Sequence, residues 1–166
     1  MLVVVMGVAG SGKTTLGRLL AAAYQAPFLD ADAFHSPAAV AKMQQSLPLT
    51  EQERTPWISR TIARVNAEPR ARCVLACSAL TRAIRERLRS ECRAEVVFVY
   101  LRSSYETAHT HVSSRRGHFA SAGLLASQFQ TLEEPAADEG AIVVDADDPS
   151  TVSCERVVAQ LSLGMC

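Results

Sequence analysis

Apolar and polar positions along this chain follow two rhythms. Short apolar runs read as strands: Leu2-Val3-Val4-Val5-Met6, then residues 26–30, 71–77, 95–101 and 141–144. The first of them has no polar break, as expected of a parallel strand buried on both faces. Between these runs the pattern is helical, at 13–24, about 36–46, 50–67, 81–92, about 104–114, 122–132 and 150–161. Strands separated by helices predict an α/β fold with a five-stranded parallel sheet, flanked by helices and joined by right-handed crossovers. Residues 1–166 read as a single domain, with no internal repeat, low-complexity stretch or linker. Segments 36–67 and 115–135 are insertions between sheet elements. In such a sheet they are expected above the carboxyl ends of the strands, where ligands bind.

The first strand runs directly into Gly7-Val8-Ala9-Gly10-Ser11-Gly12-Lys13-Thr14-Thr15, and a helical pattern follows. This is a complete G-x-x-x-x-G-K-[ST] phosphate-binding loop in its proper strand-to-helix setting. The glycines let backbone N–H groups approach phosphate oxygens at a helix N-terminus. Lys13 adds a compact charge at the β- and γ-phosphates, and the Thr14 hydroxyl is a ligand for Mg²⁺. The fold expected is therefore that of the P-loop NTPases, with a nucleoside triphosphate and Mg²⁺ as ligands.

Composition narrows the rest. Formal net charge is zero, which gives no electrostatic case for nucleic acid or a membrane surface. The apolar runs are strand-sized, too short to span a bilayer. A core-like strand lies within five residues of Met1 with no basic region before it, which reads against a secretory signal. Cys73, Cys77, Cys92, Cys154 and Cys166 are odd in number and lack metal-type spacing. They fit a reducing, cytoplasmic setting as small buried residues. Of seventeen basic residues only Lys13 and Lys42 are lysine. A chain that otherwise uses arginine keeps an ammonium at the phosphate loop, where a planar guanidinium would not fit. By the same logic Lys42 reads either as a site residue or as a solvated helix residue.

The second strand ends in Asp30-Ala31-Asp32-Ala33-Phe34-His35. Two carboxylates there fall beside the phosphate loop. A kinase needs one to hold Mg²⁺ through water and one to orient and deprotonate the attacking hydroxyl. The third strand ends Cys77-Ser78-Ala79 with no acidic residue. The metal role therefore falls to Asp30 with Thr14, and Asp32 is the base candidate. Arg115 is expected to neutralise charge on the transferring phosphoryl group, with Arg116 as a stand-in. Gly117 and His118 read as a hinge and a mobile site residue. His109 and His111 are two apart on a helix, on different faces, which argues against a metal pair. Trp57 reads as a core anchor.

The motifs together resemble the bacterial and eukaryotic gluconate kinases, small phosphate-loop kinases related to shikimate kinase and adenylate kinase. The resemblance covers nearly the whole chain. It rests on the phosphate loop, Asp30-Ala31-Asp32 with Phe34-His35, Ala41-Lys42-Met43, Leu47-Pro48-Leu49 and Arg54-Thr55-Pro56-Trp57. Cys77-Ser78-Ala79-Leu80, Arg115-Arg116-Gly117-His118-Phe119 and Ser127-Gln128-Phe129-Gln130-Thr131-Leu132-Glu133-Glu134-Pro135 complete it. It implies a lid at about 115–121, an acceptor-binding insertion at about 36–67, and transfer of phosphate from ATP to the 6-hydroxyl of D-gluconate. An anionic polyol needs a guanidinium and several polar groups. Asp32, His35, Lys42, Arg54, Arg85, His118 and Gln128 are the candidates, Arg85 reading equally as part of a basic solvated helix. Departures from the family pattern fall at Ser36, Ala39, Ser46, Thr81 and Ile84, several of them on the acceptor side. A kinase for another small acceptor such as shikimate is the alternative, and a nucleotide-binding regulator without turnover is a third. A monomer and a homodimer are both compatible with the sequence.

Overall fold

Strand β1 (Leu2–Met6) is apolar at every position because both of its faces are covered. Leu2, Val4 and Met6 pack with Trp57, Ile58, Ile62 and Leu88 on one side. Val3 and Val5 pack with Leu16, Leu20 and Val157 on the other. The computed structural model describes residues 1–114 and 122–163. Within them lie β2 (Phe28–Asp30), β3 (Cys73–Ala76), β4 (Val96–Arg102) and β5 (Ile142–Asp145). The sheet has five strands in the order β2-β3-β1-β4-β5, and every neighbouring pair is parallel. The five strands expected from the apolar runs are all present, and so is the parallel sheet.

Helices α1 (Lys13–Ala23) and α7 (Ser150–Leu163) cover one face. Helices α3 (Glu51–Asn66) and α4 (Arg82–Glu91) cover the other. Helices α2 (Pro37–Gln44), α5 (Tyr105–Ser114) and α6 (Ala122–Thr131) belong to two smaller clusters. Ala39, Met43 and Leu49 pack with Leu124 of α6, and Val8 of the phosphate loop packs with Leu80, Ala108 and Leu125. The chain leaves β1 for β2 on one side of the sheet and later crosses from β3 to β4 on the other side of β1, so the crevice at the carboxyl end of β1 is a topological switch point.

Local chemistry sets the helix starts. Ser36 accepts the Ala39 N–H and Pro37 occupies the first helical position, a favourable pair for opening α2. Thr50 and Glu53 form a reciprocal capping box on α3. Thr81 accepts the Ile84 N–H and caps α4. One element was not legible in the sequence. Residues Ala31–Phe34 form a 3-10 turn, so Asp32 lies just beyond β2, where an extended strand end was expected. Arg115, Arg116, Gly117, His118 and Cys166 lie outside the described residues. Among the described residues no helix is long and apolar enough to cross a membrane.

The end of α2 carries a testable strain. The Leu47 N–H reaches the Lys42 carbonyl and the Ser46 N–H reaches the Met43 carbonyl, the paired bonds of a Schellman cap. Ser46 holds the left-handed position of that cap, with φ 64°. A residue with a Cβ pays about 1 kcal/mol there relative to glycine. Ser46→Gly is therefore expected to raise stability by about 1 kcal/mol and Tm by about 3 °C, read by thermal and urea unfolding. An unchanged or lower Tm would refute the strain.

Candidate active site

Gly12 caps α1 with φ 99° and offers no side chain to its first N–H groups. Those donors therefore face the mouth of the loop, as an anion site requires. Gly10 lies flush against α5, where a Cβ would come within 2.4 Å of the Ala108 carbonyl oxygen. Two donors converge inside the loop on the Val8 carbonyl: Lys13 Nζ at 2.7 Å and the Ser11 N–H at 3.3 Å. The Ser11 hydroxyl is buried and has no hydrogen-bond partner among the described residues. An anion arriving there would meet donors already gathered.

Thr14 Oγ1 donates to Asp30 Oδ2 at 3.2 Å. The other Asp30 oxygen, Oδ1, accepts the Asp32 N–H at 3.1 Å and so caps the 3-10 turn. Helix α3 grips the same turn from outside. Trp57 Nε1 donates to the Ala31 carbonyl at 2.7 Å and Arg60 Nε to the Phe34 carbonyl at 2.8 Å. Asp32 thus sits in a turn held at both ends, and neither Trp57 nor Arg60 was legible as a positioning residue from the sequence. Trp57 is also the core anchor expected of it. His35 stacks on its ring with centroids 4.7 Å apart and planes 5° apart. Burial pulls the His35 imidazole below its ordinary pKa, against Asp32, which raises it, and alongside Arg60, which lowers it further. Burial thus favours the neutral form of the ring.

One cleft, open to solvent, joins these groups. Lys13, Thr14, Asp30 and Asp32 line one end of it, and His35, Arg54, Trp57 and Gln128 extend it. Arg54 reaches its nearest acid, Glu51, only at 4.0 Å, a weak and partly exposed contact. Gln128 Oε1 accepts the Ala9 N–H at 2.6 Å, tying α6 to the phosphate loop. Ser127, which the sequence reading did not single out, lines the same wall. Its position next to Gln128 on α6 was the available signal. Cys77 also lines the cleft, but burial pushes its thiol up to about 12, which leaves it un-ionised and inert.

Two expected acceptor residues stand apart. Lys42 does not line the cleft, and its ammonium is held by both oxygens of Glu53 at 2.8 and 3.0 Å, pinning α2 to the start of α3. Arg85 is a correction. Its side chain is buried and its guanidinium forks onto Glu139, Nε to Oε2 at 2.6 Å and Nη2 to Oε1 at 2.8 Å. Nη1 donates to the carbonyls of Ala79, Leu80 and Glu133. With these donors taken inside the protein, Arg85 braces the loop after β3 and does not face an acceptor. His109 stacks on Tyr105, and His111 binds Gly10, so the two do not act as a pair.

A divalent cation has a fitting, incomplete set of hard oxygen donors in Thr14 and Asp30. Among the described residues no group of three or more His, Cys, Asp or Glu forms a closed metal cage. That suits Mg²⁺, which keeps waters and takes further ligands from phosphates.

A family model described as "AAA domain" matches residues 2–135. The gluconokinase of Gluconobacter oxydans is 39% identical over 157 residues, 93% of this chain and 88% of that protein. The thermoresistant gluconokinase of Escherichia coli K12 is 37% identical over 149 residues, 88% of this chain and 85% of that one. The crystal structure of a gluconokinase from Sinorhizobium meliloti superposes with a TM-score of 0.85 at 35% identity, covering 96% of this chain and 90% of that one.

Proposed function

Because this chain belongs to the gluconokinase family of phosphate-loop kinases, we propose that it transfers the γ-phosphoryl group of ATP to the 6-hydroxyl of D-gluconate. The observation that carries this reading is the single cleft in which the phosphate loop, Asp32 and Arg54 face one another. The backbone of Gly7 to Thr15 and the Lys13 ammonium hold the phosphates. Asp32, fixed in its turn by Trp57 and Arg60, accepts the proton of the attacking hydroxyl. Arg54 receives the carboxylate, while His35, Gln128 and Ser127 meet the polyol hydroxyls. Thr14 and Asp30 would hold Mg²⁺, which when bound would neutralise charge on the phosphate oxygens. Arg115 and His118 are assigned from their place in the sequence, Arg115 to the transferring phosphoryl group and His118 to the acceptor. Residues 1–166 are read as one catalytic domain acting in the cytoplasm.

Replacing Asp32 with Asn is expected to lower kcat about 10²-fold with ATP affinity little changed. Asp30→Asn is expected instead to raise the Mg²⁺ concentration needed for half-maximal rate. A coupled ADP-release assay with Mg²⁺ titration separates the two, and the opposite pattern would exchange the roles.

The acceptor assignment is tested at Arg54. Arg54→Ala removes a charge-assisted contact and is expected to raise the gluconate KM about 10- to 100-fold, with the ATP KM nearly constant. A neutral polyol such as glucose is expected to be a very poor acceptor for the unaltered protein, since it leaves the guanidinium unpaired. Rapid turnover of glucose or shikimate with gluconate inert would refute the acceptor and leave the kinase standing.

A further inference from the structure

We propose that His111 is a positioning residue for the phosphate loop, setting the direction of a loop N–H through its bond to the Gly10 carbonyl. The proposal rests on the reading that Gly7 to Thr14 binds nucleotide phosphate. His111 Nδ1 lies 2.9 Å from the Gly10 oxygen. A carbonyl only accepts, so Nδ1 carries the proton and donates. The peptide that follows is planar and trans, so its C=O and N–H point in opposite directions. With the Gly10 C=O drawn to α5, the Ser11 N–H is turned to the other side. There it meets the Val8 carbonyl at 3.3 Å, the same oxygen that receives the Lys13 ammonium at 2.7 Å. His111 therefore helps aim one donor at the point where Lys13 already converges. A phosphate oxygen entering the loop competes with the Val8 oxygen for both.

The packing around this bond gives it leverage. Gly10 faces α5 closely, since a Cβ on it would come within 2.4 Å of the Ala108 carbonyl oxygen. From α6, Gln128 holds the preceding residue through the Ala9 N–H at 2.6 Å. The loop's Ala9-Gly10 stretch is thus held by one side chain from each of two helices. His111 itself is exposed and belongs to no core cluster. Its loss should act on the loop, leaving the fold intact. The histidine was singled out in the sequence only as half of an improbable metal pair, and the phosphoryl transfer described above makes no use of it.

The test uses two substitutions of opposite character. His111→Asn keeps an N–H donor near the place of Nδ1, and His111→Phe keeps a ring without the donor. Direct titration with ADP measures the loop without any chemistry, and steady-state kinetics separates the two substrates. His111→Phe is expected to weaken ADP binding and raise the ATP KM about 5- to 10-fold, the worth of one hydrogen bond. The gluconate KM and Tm should stay near those of the unaltered protein. His111→Asn is expected to bind ADP within about twofold of it. The role is overturned if His111→Phe binds ADP normally, if His111→Asn is as weak as His111→Phe, or if the gluconate KM rises in step with the ATP KM. An unaltered chain that binds no ADP would overturn the nucleotide reading itself, and this role with it.

Discussion

Lys13→Ala is expected to leave less than about one part in 10³ of the unaltered kcat/KM, the scale of losing a preorganised donor aimed at developing phosphate charge. Its ammonium reaches into the loop from the first residue of α1, where it donates to the Val8 carbonyl. Nothing can take its place. The one other lysine, Lys42, is held by Glu53 away from the cleft. Lys13→Arg is expected to fail nearly as badly, because a planar guanidinium does not fit a pocket shaped for a compact ammonium. A coupled assay at saturating gluconate, with ADP titration alongside, reads both variants. Turnover by Lys13→Arg at the rate of the unaltered protein would show that charge alone suffices and sink the argument from shape.

The largest effect on stability is expected at Glu139. Its carboxylate and the Arg85 guanidinium are almost wholly removed from water, 2% and 1% exposed. Arg89 approaches the same carboxylate at 3.6 Å and donates to the Glu139 carbonyl. Glu139→Ala leaves a buried cation without its partner, which costs about 3–5 kcal/mol. Glu139→Gln keeps the shape and removes the charge, and is expected to lose less. The hydrogen bond from Arg85 holds the Glu139 carboxyl down at about 2, against an ordinary value of 4.5. A carboxyl depressed in the folded state stabilises fully above about 4.5, and that contribution fades as pH falls toward about 2. Between those values the Tm of the unaltered protein should therefore fall more steeply than that of Glu139→Gln. Parallel slopes in the two proteins would refute the linkage. Because Arg85 also binds the carbonyls of Ala79, Leu80 and Glu133, either variant should loosen the loop that follows β3.

The acceptor side contrasts two arginines that the sequence offered as candidates, Arg85 with a solvated helix as its equal reading. Arg54 and Arg85 each lie in a charged helix, and each was a candidate for the carboxylate. Arg54 projects into the cleft with one weak acidic neighbour, whereas Arg85 meets Glu139 across 54 residues of chain. Helical spacing shows which residues share a face. It carries no information on which distant carboxylate that face will meet. The same holds for Asp32. Its type and its place after the second strand were legible, but the turn that aims it depends on Trp57 and Arg60, about 26 residues on.

Local order was determined by the sequence alone: five strands, the helices between them, the phosphate loop, and the two aspartates beside it. These follow from periodicity, capping chemistry and a contiguous motif, all of which act within a few residues. Tertiary structure alone decided which polar groups face the cleft. It sent Arg85 into a buried pair, fastened Lys42 to Glu53, and set Gln128 and His111 against the Ala9 N–H and the Gly10 carbonyl. Those outcomes turn on pairings between segments far apart in the chain, where an N–H or a charge is satisfied by whichever partner the packing of the sheet brings within reach.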